Sequence, residues 1–247
     1  MSGKSRTEAL MAPLKAMTEA RIGMGRSGGG LPTRASLAFA LDHARAKEAV
    51  WSEMDRTKLA ETLADLGPIG FASSRVSGRE EYLTRPDLGR LLGDEADLPG
   101  AEPGGLAIVV ADGLSATAVE LNAAAVLRAL VPALGDTGLP LAGIVLARQA
   151  RVALGDEIAQ RMGAAAAVTL IGERPGLSAS DSLGAYISWA PRPGMPNADR
   201  TCISNIRSGG LVPDLAAAQI ARLLKDMKRV GASGLEMKAR LATLPAP

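Results

Sequence analysis

Two segments of this chain could bring acidic side chains to one edge of a β-sheet. In Thr169-Leu-Ile-Gly-Glu-Arg-Pro-Gly-Leu-Ser178 an apolar run reads as a buried strand that closes on Gly172 and delivers Glu173 onto a loop. Leu106-Ala-Ile-Val-Val-Ala-Asp-Gly-Leu-Ser115 repeats the pattern, ending on Asp112 and Gly113 before a helix. Ligands of open α/β sheets bind beyond the carboxyl ends of the strands, so both carboxylates are candidates to meet a polar ligand. Asp112 has a second reading, as acceptor for the first N–H groups of the following helix. For Glu173 the plain alternative is an ion pair with a nearby arginine. Arg174 and Pro175 break the regular backbone directly after it and leave its side chain at the mouth.

Other chemistries lack their parts. Cys202 stands alone in the extended stretch Asp199-Arg-Thr-Cys-Ile-Ser-Asn-Ile206, where a cysteine is ordinarily a small hydrophobe. The one histidine, His43, falls on a helix near the N-terminus, and neither Ser115 nor Ser178 is followed by the glycine that a nucleophile elbow needs. Covalent serine chemistry is therefore disfavoured. Gly23-Met-Gly-Arg-Ser-Gly28 spells the dinucleotide fingerprint, but what precedes it is helical and polar rather than a strand. A flexible turn is the better reading. No lysine follows Gly30 as a phosphate-binding Walker loop requires. No catalytic residue and no metal ligand is expected.

The elements that must position these residues follow from pattern. With 247 residues and 47% hydrophobic content, the chain can bury one large core or two smaller ones. Only six residues are aromatic, two each of Phe, Trp and Tyr, so the core must be aliphatic and base-stacking platforms are not expected. Lys and Arg exceed Asp and Glu by 28 − 26 = 2, with the signs interspersed, which argues against a nucleic-acid track. The single cysteine excludes an internal disulfide. Apolar runs shorter than about 20 residues predict no membrane span, and the charged N-terminus with Lys4, Arg6 and Glu8 argues against a secretory signal. A cytoplasmic location is the default expectation.

Spacing predicts helices over 5–20, 33–51 and 54–66, then an extended piece near Val76 and a helix signalled by Pro86 and Asp87. The acidic stretch 94–105, rich in Pro and Gly, reads as a boundary. It divides a smaller, mainly helical N-terminal domain, 1–100, from an α/β domain, 101–247. In the latter, strands at 106–112, 141–148 and 166–172 alternate with helices at 115–134 and 152–162. An apolar segment at 184–190, an extended one at 201–206 and a helix at 214–230 follow. Such order implies a Rossmann-like parallel sheet with helices on both faces.

The blocks Leu31-Pro-Thr-Arg-Ala, Leu41-Asp-His-Ala-Arg-Ala-Lys47, Tyr82-Leu-Thr-Arg-Pro-Asp-Leu-Gly-Arg90, Ala111-Asp-Gly-Leu-Ser115, Gly172-Glu-Arg-Pro-Gly-Leu177 and Asp199-Arg-Thr-Cys-Ile-Ser-Asn-Ile206 occur together and in order. In this the chain resembles the small (light, beta) subunit of ethanolamine ammonia-lyase, from about residue 20 to Met237. The resemblance implies a lyase that uses adenosylcobalamin to turn ethanolamine into acetaldehyde and ammonia by a radical mechanism. It implies a hetero-oligomer in which a large β/α-barrel subunit holds the substrate and this chain completes the cobalamin site. Val152, Glu173 and Cys202 carry over as cobalamin contacts. No D-x-H-x-x-G motif is present to supply a histidine to cobalt, which fits a cobalamin that keeps its own base on the metal. The brief N-terminal extension departs from some members, which leaves packaging into a bacterial microcompartment open. The rival reading is a free-standing Rossmann-type NAD(P)-dependent reductase, with Asp112 or Glu173 on a ribose hydroxyl.

Overall fold

The computed structural model describes residues 6–100 and 104–243. Among them, one six-stranded sheet contains β1 (Ile69–Ser73), β2 (Leu106–Ala111), β3 (Leu141–Arg148), β4 (Ala166–Gly172), β5 (Leu183–Trp189) and β6 (Thr201–Ile206), in the spatial order β1-β3-β2-β4-β5-β6. Eight helices accompany it: α1 (Arg6–Ala16), α2 (Thr33–Trp51), α3 (Arg56–Leu63), α4 (Arg79–Thr84), α5 (Ala116–Ala133), α6 (Val152–Arg161), α7 (Pro213–Val230) and α8 (Gly234–Ala242).

The wholly apolar sequence of β2 dictates its place. A strand without polar residues on either face must be covered on both sides, and all six residues of β2 are buried between β3 and β4. Successive side chains point to opposite faces. Leu106, Ile108 and Val110 enter the larger core with Val119, Val126 and Leu130 of α5 and Ile220, Leu224 and Met227 of α7. Ala107, Val109 and Ala111 face the other way, toward Leu154 and Ile158 of α6. The small alanines on that face let α6 lie close. The 22-residue stretch Ala116–Thr137 is long and apolar enough to cross a membrane by composition, but its apolar stripe is spent against the sheet and α7.

The mixed α/β architecture agrees with the sequence pattern, and four strands are parallel. The all-parallel expectation needs correction, because β5 pairs antiparallel with both β4 and β6. The reason is the connections: 173–182 contains no helix and 190–200 only a 3-10 turn, and without a crossover helix the chain can return only antiparallel. A second correction concerns residues 1–100, which supply β1 as well as helices. β1 pairs with β3, so the sheet draws strands from both sides of the stretch 94–105, of which 101–103 lie outside the described residues. The extended piece is therefore 69–73 rather than the surroundings of Val76. Pro86 ends regular helix after α4 instead of opening one, and only the 3-10 turn Leu88–Arg90 follows it. Residue 5, the start of the first expected helix, and Lys4 also fall outside the described residues.

One buried ion pair ties the antiparallel half to α6. The Asp156 carboxylate accepts from Arg200 Nε at 2.8 Å and Nη2 at 2.5 Å, and from Ser188 Oγ at 2.7 Å. Arg200 also donates to Asn197 Oδ1 and the Met195 carbonyl, so every donor nitrogen of the buried guanidinium is used. Removing one member would strand the other charge in a dry interior. Asp156→Ala is therefore expected to lower the unfolding free energy in urea by about 3–5 kcal/mol. Asp42→Ala, which breaks only the partly exposed pair with Arg21, should cost no more than about 1 kcal/mol.

Candidate functional site

The chain leaves β2 through α5 to β3 on one side, then returns through α6 to β4 on the other. Beyond the carboxyl ends of β2 and β4 the connections part, and such a switch point is where α/β sheets hold ligands. Here the two strand ends touch. Leu114 N–H donates to the Gly172 carbonyl at 2.9 Å. A Cβ on Gly113, which has φ +56°, would overlap that carbonyl oxygen, and one on Gly172 would overlap the Ser115 carbonyl. Only glycine fits at either position.

This contact separates the fates of the two acids. Asp112 turns inward and is 1% exposed. Its Oδ1 accepts from Ala150 N–H at 3.3 Å, and Arg79 Nη1 lies 3.6 Å from its Oδ2. Burial pushes its pKa up, against the opposing pull of the Gln149 N–H and of Arg79. Asp112 thus holds the β3–α6 connection, while Ser115 caps α5 by accepting from Ala118 N–H. Glu173 stays at the rim. Its Oε2 accepts from Ser182 Oγ at 2.5 Å and from Asn205 N–H at 3.3 Å, and among the described residues it makes no ion pair with an arginine.

Two adjoining cavities open along this edge. One, of about 340 Å³, is lined by Pro86, Arg90, Arg151, Val152, Tyr186, Arg200 and Cys202 among others. The other, of about 420 Å³, is lined by Tyr82, Gly113, Leu114, Arg151, Val152, Glu173, Arg174 and Tyr186 among others. They share Arg151, Val152 and Tyr186 and so form one trough. Val152, Glu173 and Cys202, three sequence-level candidates from three elements, all line it. Asp112 does not. Exposed His43 lies on α2, and the Gly23–Gly28 turn joins α1 to α2 with no strand before it, so the dinucleotide reading of that turn lacks its structural context.

The sequence reading passed over Tyr186 and Arg151. Tyr186 stands opposite Cys202 in the β5–β6 register, and its phenol is pushed up to about 12 by burial, then by the neighbouring thiol. Although Cys202 remains exposed at the surface, desolvation by its neighbours pushes the thiol up, against the Tyr186 hydrogen bond, and the negative charge of Glu173 adds to the rise. The thiol is therefore neutral near pH 7 and presents small, soft apolar surface. Arg151 stacks its guanidinium 4.3 Å from the centroid of the buried Tyr82 ring and donates to the Tyr82 carbonyl at 3.0 Å. The long-range partner on which this depends, Tyr82, is 69 residues away, so no local pattern announces it.

A depression lined by Val152, Glu173 and Cys202 at the switch point of a mixed sheet makes this an α/β protein with a candidate ligand trough at its sheet edge. Comparison with known proteins gives its family. The family model of the ethanolamine ammonia-lyase light chain (EutC) matches residues 8–238. The ethanolamine ammonia-lyase small subunit of Bradyrhizobium diazoefficiens is 48% identical over 235 residues, covering 91% of this chain and 88% of that protein. That of Rhodopseudomonas palustris is 48% identical over 230 residues, with 91% and 88% covered, and that of Pseudomonas syringae pv. tomato 43% over 241 residues, with 94% and 84% covered. The chain belongs to the ethanolamine ammonia-lyase light-chain family, and is thus a lyase subunit with a large-subunit partner.

The raised thiol gives a direct check on this geometry. Cys202 is the only cysteine, so iodoacetamide labels one site. Labelling should be slow at pH 7 and should accelerate only above the usual thiol range of about 8.5. Glu173→Gln removes the nearby negative charge that opposes the thiolate, so the rate profile should move to lower pH. An unmoved profile would mean that the two side chains do not face one trough.

Proposed function

We propose that this chain completes an adenosylcobalamin site against a large β/α-barrel subunit, within a hetero-oligomer that converts ethanolamine to acetaldehyde and ammonia. The observation that carries this reading is the convergence of Val152, Glu173 and Cys202 on one trough at the switch point. The residues present suit the group. A corrin is a broad, flat ring rimmed with amide arms, and an open trough with one carboxylate acceptor and small apolar walls matches that chemistry. Residues 101–247 would form the Rossmann-like, cobalamin-contacting part, with Tyr82, Pro86 and Arg90 of the preceding segment finishing the wall. The exposed Leu37, Phe39, Leu41 and Trp51 of α2 offer apolar surface of the kind that partner subunits cover.

When bound, adenosylcobalamin supplies radical chemistry by homolysis of its cobalt–carbon bond, and the protein's share is to position the cofactor. Glu173 is fixed by Ser182 and Asn205, so its free lone pairs can accept amide N–H groups at little ordering cost. Val152 at the start of α6 and the neutral Cys202 thiol would offer the cofactor small apolar surface. Tyr186, with its proton held by a raised pKa, lies between them and neither gives nor takes a proton at neutral pH. The chain thus contributes binding and orientation, not an acid, base or nucleophile.

Mixing the purified chain with a matching large subunit, adenosylcobalamin and ethanolamine should yield acetaldehyde, and omitting the chain should abolish it. Full activity of the large subunit alone at the same cofactor level would remove the essential role. Glu173→Ala should weaken cobalamin binding by roughly ten- to a hundred-fold with little loss of folding, the cost of one charged hydrogen bond. Unchanged affinity in equilibrium dialysis would take Glu173 out of the site.

A further inference from the structure

The two halves of the trough differ in charge. The Glu173 side sets one carboxylate beside Arg174 and the shared Arg151, whereas the other cavity is lined by Arg90, Arg151 and Arg200 and by no carboxylate. Arg200 is neutralised by Asp156, which leaves Arg90 and Arg151. Neither makes a salt bridge among the described residues. Asp87, the acid nearest Arg90 in sequence, is held by Arg85 at 2.7 Å. Arg151 spends one donor on a backbone carbonyl, and its buried Nε has no partner among the described residues. The two arginines are brought side by side by the backbone itself, because Arg151 N–H donates to the carbonyl of Gly89 at 2.8 Å. Val152 and Ala153 continue the wall as the first residues of α6, where N–H groups lack helical partners. Two cations left unpaired in a chain whose net charge is only +2 mark this cavity for an anion.

We propose that Arg90 and Arg151 bind a phosphodiester, the permanent anion in the nucleotide arm of a cobalamin, while Glu173 serves the amide rim. Guanidinium groups suit this task because their planar fork matches phosphate oxygens. The assignment rests on the trough being the corrinoid site, and it fixes the direction in which the cofactor lies. The nucleotide arm runs toward the Leu88–Arg90 turn and the start of α6, and the corrin rim toward the β4–β5 connection.

The test compares adenosylcobalamin with adenosylcobinamide, which lacks the nucleotide arm, by equilibrium dialysis on the complex reconstituted with a large subunit. Arg151→Gln should weaken adenosylcobalamin about ten- to a hundred-fold and leave adenosylcobinamide within about two-fold. Arg90→Gln gives the same selective loss and guards against a folding artefact, since Arg90 is exposed and makes no side-chain hydrogen bond among the described residues. The affinity of the unaltered complex for adenosylcobalamin should fall with added salt more steeply than that of either variant. Equal losses for both corrinoids, or none for either, would overturn the phosphodiester assignment. If Glu173→Gln weakens both corrinoids in that case, the trough still holds the corrinoid and only the anion contact is wrong. If Glu173→Gln also changes neither, the location of the site itself fails.

Discussion

The contact between the turn after β2 and the end of β4 is the constraint from which the rest of the edge follows. Gly113 and Gly172 bring two backbones together with no side chain between them. Two neighbouring parallel strands whose connections depart in opposite directions would otherwise leave a gap running down to the core. Closing it at the base leaves only the outer part open, so the depression is a shallow trough rather than a deep pocket. The same closure seals Asp112 inside, where it braces the β3–α6 connection, and leaves Glu173 outside.

Buried charge has a related role on the antiparallel side. β5 and β6 reach the sheet through irregular connections, and the ion pair of Asp156 with Arg200 specifies where those connections sit relative to α6. Because the guanidinium donors are all used, the pair is a fixed wall and carries no net charge toward the trough. The exposed pairs elsewhere, such as Arg128 with Asp65, neutralise each other at the surface. Within the trough Arg90, Arg151 and Arg174 make no salt bridge among the described residues, and of these Arg90 and Arg151 line the cavity without a carboxylate.

The trough is open along one side, as the proposed reading requires of a subunit that shares its site with a partner. Its walls belong largely to the sheet, and α2 carries apolar side chains that none of the described residues covers. A cofactor clamped between two polypeptides needs shape and polarity from each, and the hard chemistry stays with the cofactor. On the proposed reading the light chain acts through positioning, and the conspicuous features of its trough are correspondingly few: one carboxylate at a rim, one thiol, and three arginines without a salt bridge among the described residues.

The sequence by itself determined the secondary elements of the β/α alternation, the burial of β2, and the delivery of Glu173 to a strand end. Period and composition are local properties, and apolar runs closed by an acid and a glycine report them directly. The six matching blocks also carried the family. What only the tertiary structure decided is which elements meet. The antiparallel return of β5, the recruitment of β1 from the N-terminal hundred residues, and the inward turn of Asp112 depend on connection geometry and on partners far along the chain. The pairing of Arg90 with Arg151 across the 3-10 turn is of the same kind. Each is set by hydrogen bonds to residues in another element, and no periodicity within a segment encodes a partner that lies outside it.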